Sequence, residues 1–99
     1  MKQRKKSFNL RFYDHAINEW LGEISEDDRR FVANRAASIY RSVDDGCVDN
    51  LRMSKVIDGA AINPEYHKAL DKGCCGFIDR VVTNPLTGNS FVIGFNFGH

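Results

Sequence analysis

Apolar residues first recur at helical spacing between Leu10 and Leu21, where Tyr13, Ala16, Ile17, Trp20 and Leu21 share one face and Asp14 and Glu19 turn elsewhere. Gly22 weakens the end of that helix. Ser25-Glu26-Asp27-Asp28 then reads as an N-cap with acids in the first turn of a second helix, where the positive end of the helix dipole favours them. Val32, Ala36, Ile39, Tyr40 and Val43 form the stripe of this second helix, which stops near Asp44-Asp45-Gly46. From Val48 to Ile62 the period is poor, and Leu51, Met53, Val56 and Ile57 beside Asp58-Gly59 predict a short helix. Asn63-Pro64 starts another, since Asn caps free amides and Pro at the first position loses no hydrogen bond. That helix runs to Lys72, with Gly73 placed to close it.

Beyond Gly76 the period changes from helical to alternating. Phe77–Thr83 and Ser90–Phe97 are the strands of a β-hairpin turned by Asn84-Pro85-Leu86-Thr87-Gly88, with Pro85 presetting a turn and Gly88 suited to a left-handed closing position. Phe91, Ile93, Phe95 and Phe97 fall on one face of the second strand, and Ser90, Val92, Gly94 and Asn96 on the other. A lone hairpin is marginal in water, so the apolar face must pack on the helices, join other strands or pair with a second subunit, the last making a homo-oligomer. The expected fold is therefore α+β: three to four helices followed by a C-terminal antiparallel hairpin.

Ninety-nine residues suffice for one small domain, 1–99, with residues 1–7 as a basic, flexible tail. The apolar share of 42% and the charged share of 27% exclude a wholly disordered chain. The net charge of +1 conceals segregation: Lys2, Arg4, Lys5, Lys6 and Arg11 precede any acid, and Asp14, Glu19, Glu23, Glu26, Asp27 and Asp28 follow without a base. Such patches suit docking onto a macromolecule. No apolar run reaches the roughly 18 residues of a membrane span, and the basic start leads into no signal-peptide core, so a cytoplasmic protein with no membrane partner is expected. The three cysteines, Cys47, Cys74 and Cys75, are an odd number, and free thiols are the simpler reading.

Candidate chemistry gathers at the flanks of the hairpin. Gly73-Cys74-Cys75-Gly76 places two thiols between glycines that permit close backbone approach, and Asn96-Phe97-Gly98-His99 ends the second strand; antiparallel register brings these flanks together. Cys74, Cys75, Gly76, Asn96, Gly98 and His99 are thus the candidate binding residues. A helix C-terminus disfavours a thiolate, which argues against a nucleophilic cysteine and for packed, inert thiols. A thiol- or zinc-dependent protein centred on Cys47, His67, Cys74, Cys75 and His99 is a lesser alternative, because adjacent cysteines strain chelation and no C-x-x-C is present. His15 and His67 lack any triad partner in sequence. Arg29, Arg30 and Arg41 are candidate electrostatic contacts, and with Arg35 and the aromatics Phe8, Phe12 and Tyr13 they keep nucleic acid as an alternative partner, opposed by the neighbouring acids. No G-x-G-x-x-G or Walker loop supports a standard nucleotide fold, no cofactor is implied, and no catalytic set emerges.

Over its last quarter, in Gly73 to Gly76, Asp79, Gly94, Asn96, Gly98 and His99, the chain resembles a group of small phage and prophage proteins ending in Gly-Cys-Cys-Gly, a strand, a turn and an aromatic strand closing on Gly-His. The resemblance implies a phage-encoded accessory protein, and such proteins commonly bind and block a host component. The expectation is a non-enzymatic binder with an anti-defence or host-takeover role, whose partner is a host protein or a small nucleotide signal.

Overall fold

The computed structural model describes residues 10–42, 48–71 and 77–97. Three helices, α1 (Leu10–Leu21), α2 (Glu26–Ser42) and α3 (Pro64–Asp71), accompany four strands, β1 (Val48–Ile57), β2 (Ala60–Ala61), β3 (Phe77–Thr83) and β4 (Ser90–Phe97). The fold is α+β, and the strands make one antiparallel sheet in the order β2-β1-β4-β3. No helix among the described residues is long and apolar enough to cross a membrane.

The helices follow the expected stripes. Tyr13, Ala16, Ile17 and Leu21 of α1 and Val32, Ala36 and Ile39 of α2 are buried, joined by Ala33 and Ala37, whose small side chains let α2 lie close to its neighbours. Ser25 caps α2, its Oγ accepting from Asp28 N at 3.1 Å. Asn63 caps α3, its Oδ1 accepting from Glu65 N at 2.9 Å, while its Nδ2 donates to Trp20 O at 3.2 Å and ties the start of α3 to the end of α1.

The hairpin of β3 and β4 is present with the expected bounds, but it is not a separate C-terminal unit. The predicted short helix within Val48–Ile62 is instead the long strand β1 and the two-residue strand β2. β1 pairs with β4 from Val48↔Phe97 to Val56↔Ser90, so the hairpin joins another strand of its own chain. Asp58 and Gly59 reverse the chain between β1 and β2 with φ of 54° and 81°, two positive values that a tight hairpin turn requires and a helix forbids. As an inner strand β4 is covered on both faces, with Phe91, Ile93 and Phe95 packed on the helices and Val92 also buried. The alternation in β4 therefore marks the helix face without leaving the other face wet.

Candidate functional site

On the face of the sheet turned from α1 and α2, three strands contribute one row: Arg52 lies beside Gly94, and Gly94 beside Asp79. Tyr66, from the first turn of α3, lies over this row and donates its hydroxyl to Asp79 Oδ2 at 3.3 Å. A Cβ on Gly94 would meet that hydroxyl at 3.0 Å and the Arg52 Cγ at 3.5 Å, so a glycine is what lets α3 settle onto β4. Arg52 is 3% exposed. Burial lowers its pKa while Tyr66 opposes that shift, and the guanidinium stays charged. Burial, then the charge of Asp79 and the hydrogen bond to it, push the Tyr66 hydroxyl far up, so it stays protonated and acts as a fixed donor. The row clamps α3 to the sheet through a tyrosine that keeps its proton.

Of the candidate binding residues, Cys74, Cys75, Gly76, Gly98 and His99 lie outside the described residues, as does Cys47; Asn96 is placed in β4 opposite Phe77. Asp79 and Gly94 are cross-strand neighbours in the Tyr66 clamp. Of the zinc set only His67 is placed, exposed, with Nε2 3.0 Å from Ala61 O. Among the described residues no three His, Cys, Asp or Glu side chains are grouped to hold a metal. His15 is on the surface, 4.0 Å from Glu19.

The candidate electrostatic residues separate. Arg29 joins α2 to α1, donating through Nη2 to Asn18 Oδ1 at 2.9 Å and approaching Asp14 Oδ1 to 3.5 Å. Asp14 Oδ1 accepts no hydrogen bond, so that approach is an ion pair only. Arg30 is exposed beside Glu26 at 3.7 Å, a pair worth little in solvent, and Arg41 is exposed near the end of α2. Only the last two are placed to meet a partner.

A site that the sequence did not announce lies at the end of the sheet where the α1–α2 link, the Asp58-Gly59 turn and the Asn84–Asn89 turn meet. A groove of about 400 Å³ opens there, lined on one side by Glu23, Ile24 and Ser25 and on the other by Lys55, Ile57 and Asn89. The groove is floored in part by Phe91. Of the large apolar side chains most exposed among the described residues, Ile57 at 55% lines the groove, Leu86 at 79% is on the Asn84–Asn89 turn, and Ile62 at 50% follows β2. Val81 is the fourth, on the edge strand β3.

One carboxylate fixes the shape of this end. Asp28, 3% exposed, accepts from Asn84 Nδ2 at 2.9 Å and Thr87 Oγ1 at 2.6 Å on Oδ1, and from Asn89 Nδ2 at 2.8 Å on Oδ2. Within the turn, Leu86 N donates to Asn84 Oδ1 at 3.1 Å and Gly88 N to Asn84 O at 2.7 Å. Burial alone would raise the Asp28 pKa. Hydrogen bonds from Thr87, Asn89, Asn84 and Ser25 outweigh it and hold the carboxyl below its ordinary range. Its place in a first turn accounts for the negative charge but not for the burial, which comes from residues 56 to 61 positions further along the chain. No protein-family model, curated protein or solved structure matches the chain.

Proposed function

We propose that this chain is a small accessory binding protein of the phage type, which works in the host cytoplasm by occupying a host protein rather than by catalysing a reaction. The observation that carries this reading is the groove at one end of the sheet, lined by the exposed Ile57 together with Thr87 and Asn89 of the turn that bears the exposed Leu86. Single exposed apolar residues need no explanation, but a groove with an exposed apolar wall, beside a turn held by a buried carboxylate, suits a binding face. The buried ionisable groups support the same reading. Asp28 is saturated by donors and Tyr66 is held protonated, so both are committed to positioning neighbouring elements.

The test compares captures from host lysate by the tagged full chain and by its Leu86→Ser and Ile57→Ser variants, each confirmed folded by its thermal transition. A protein retained by the parent and lost by both variants is the expected result. A capture that ignores both substitutions contradicts the reading. A second reading, self-association, is favoured by β3, which forms one open edge of the sheet and bears the exposed Val81. It predicts a dimer in native mass that Val81→Lys dissolves. Nucleic acid remains the partner that Arg30, Arg35 and Arg41 would serve, and it predicts binding that falls steeply with salt.

A further inference from the structure

Among the described residues Leu86 is the most exposed of the large apolar side chains, and it sits on the turn that Asp28 braces through three side-chain hydrogen bonds. Its own amide is bonded to Asn84 Oδ1, Pro85 before it has a fixed φ, and Thr87 after it is tied to Asp28. The turn is made by Asn84, Thr87, Gly88 and Asn89, and the Leu86 side chain takes no part in those bonds. A polar residue would serve the turn equally well. A leucine on a backbone that is already bonded in place instead offers apolar area at no further cost in backbone ordering, and so it lowers the entropic cost of association.

Among the described residues the charges at this end of the sheet have one sign in excess. Among the described residues Glu23, Asp27 and Asp58 are exposed and make no ion pair, Glu26 has Arg30, and Lys55 is the one base that lines the groove. Asp27 adjoins the tip directly, its carbonyl accepting from Asn84 Nδ2 at 3.4 Å. Resting on the reading of this end as a protein-binding face, we infer that Leu86 is the anchor for a protein partner that offers an apolar pocket rimmed by lysine or arginine. The anchor supplies the buried contact, and the acids steer and orient the approach. The edge of β3 is a weaker candidate for the contact, since Asp79 and Arg80 place charges along it.

The test uses the full chain with a benzophenone-bearing amino acid replacing Leu86 or, in a second protein, replacing Asn34 on the exposed face of α2. Each is irradiated in host lysate, and the crosslinked peptides are sequenced by mass spectrometry. The expected result is a crosslink from position 86 to a segment of another protein that combines apolar residues with lysine or arginine. Its yield should fall several-fold in a Glu23→Lys/Asp27→Lys background, with Glu23→Gln/Asp27→Asn used if the reversed variant melts early. A crosslink that ignores these changes, or a segment without bases, overturns the basic rim and leaves protein binding standing. Crosslinking from position 34 alone, or from position 86 to a second copy of this chain, overturns the anchor and moves the contact elsewhere. Silence at both positions overturns the anchor together with the reading it rests on.

Discussion

The Asp58-Gly59 turn reverses the chain in two residues, both at positive φ, and its form is contained in its own backbone. The Asn84–Asn89 turn at the same end of the sheet is longer, and it is shaped by a carboxylate more than 50 residues earlier in the chain. The first needs only an Asp-Gly pair and a strand on each side. The second buries a charge, and a buried charge is tolerable only because three side-chain donors meet it. A local turn ends a strand; a braced one also fixes where its exposed side chains point, which is a property a binding surface requires.

The strongest way to break this contrast is Asp28→Asn. An amide in place of the carboxylate turns a donor toward Asn84, Thr87 or Asn89, and the loss should be about 2–4 kcal/mol in denaturant unfolding, felt first at the Asn84–Asn89 turn. The same residue predicts a pH dependence. The folded-state pKa of Asp28 is depressed, so the stabilisation it gives is complete above the unfolded-state value of about 4 and is lost as pH falls through the lower folded-state value. Acid titration of stability should therefore be shallower in Asp28→Asn than in the parent.

Gly94→Ala should cost about 1–3 kcal/mol, because the new methyl group meets the Tyr66 hydroxyl and strains the clamp on α3. It sharpens the contrast from outside, weakening the sheet while leaving the bonds within both turns intact. Gly59→Ala forces a side chain into a left-handed conformation at a cost of about 1–2 kcal/mol, and its effect should stay at the β1–β2 end. Leu86→Ser should change stability by less than about 0.5 kcal/mol while abolishing partner capture, which separates what the braced turn holds from what holds it.

The parts legible in the sequence are those whose burial is one-sided and local. Val32, Ala36 and Ile39 announce α2, Asn63-Pro64 announces α3, and the alternating aromatics of β4 with the Asn84–Gly88 turn announce the hairpin. β1 is not legible because it is an inner strand whose buried positions include Arg52 and Ser54, so no apolar alternation survives along it. The signal that would have found it was Asp58-Gly59, a short-range hairpin cue read instead as an interruption of a helix. Glu26, Asp27 and Asp28 look alike in sequence as first-turn acids. Only tertiary packing separates Asp28, buried under the hairpin turn, from its exposed neighbours. The groove and the exposed Leu86 carry no sequence signature, since exposure at a turn tip is decided by what fails to pack there. The thiol and Gly-His flanks lie largely outside the described residues, and the register reaches them only as far as Phe77 opposite Asn96.

The central claim is that Asp28 holds the hairpin tip in one conformation, and amide hydrogen exchange at the tip tests it most directly. Asn84 N, bonded to Asn89 O at 2.9 Å, and Gly88 N, bonded to Asn84 O at 2.7 Å, are the reporters. The account predicts strong protection of both in the parent and its loss in Asp28→Asn, while the amides of β2 beside the Asp58-Gly59 turn exchange as before. Equal exchange at the tip with and without the carboxylate would contradict it.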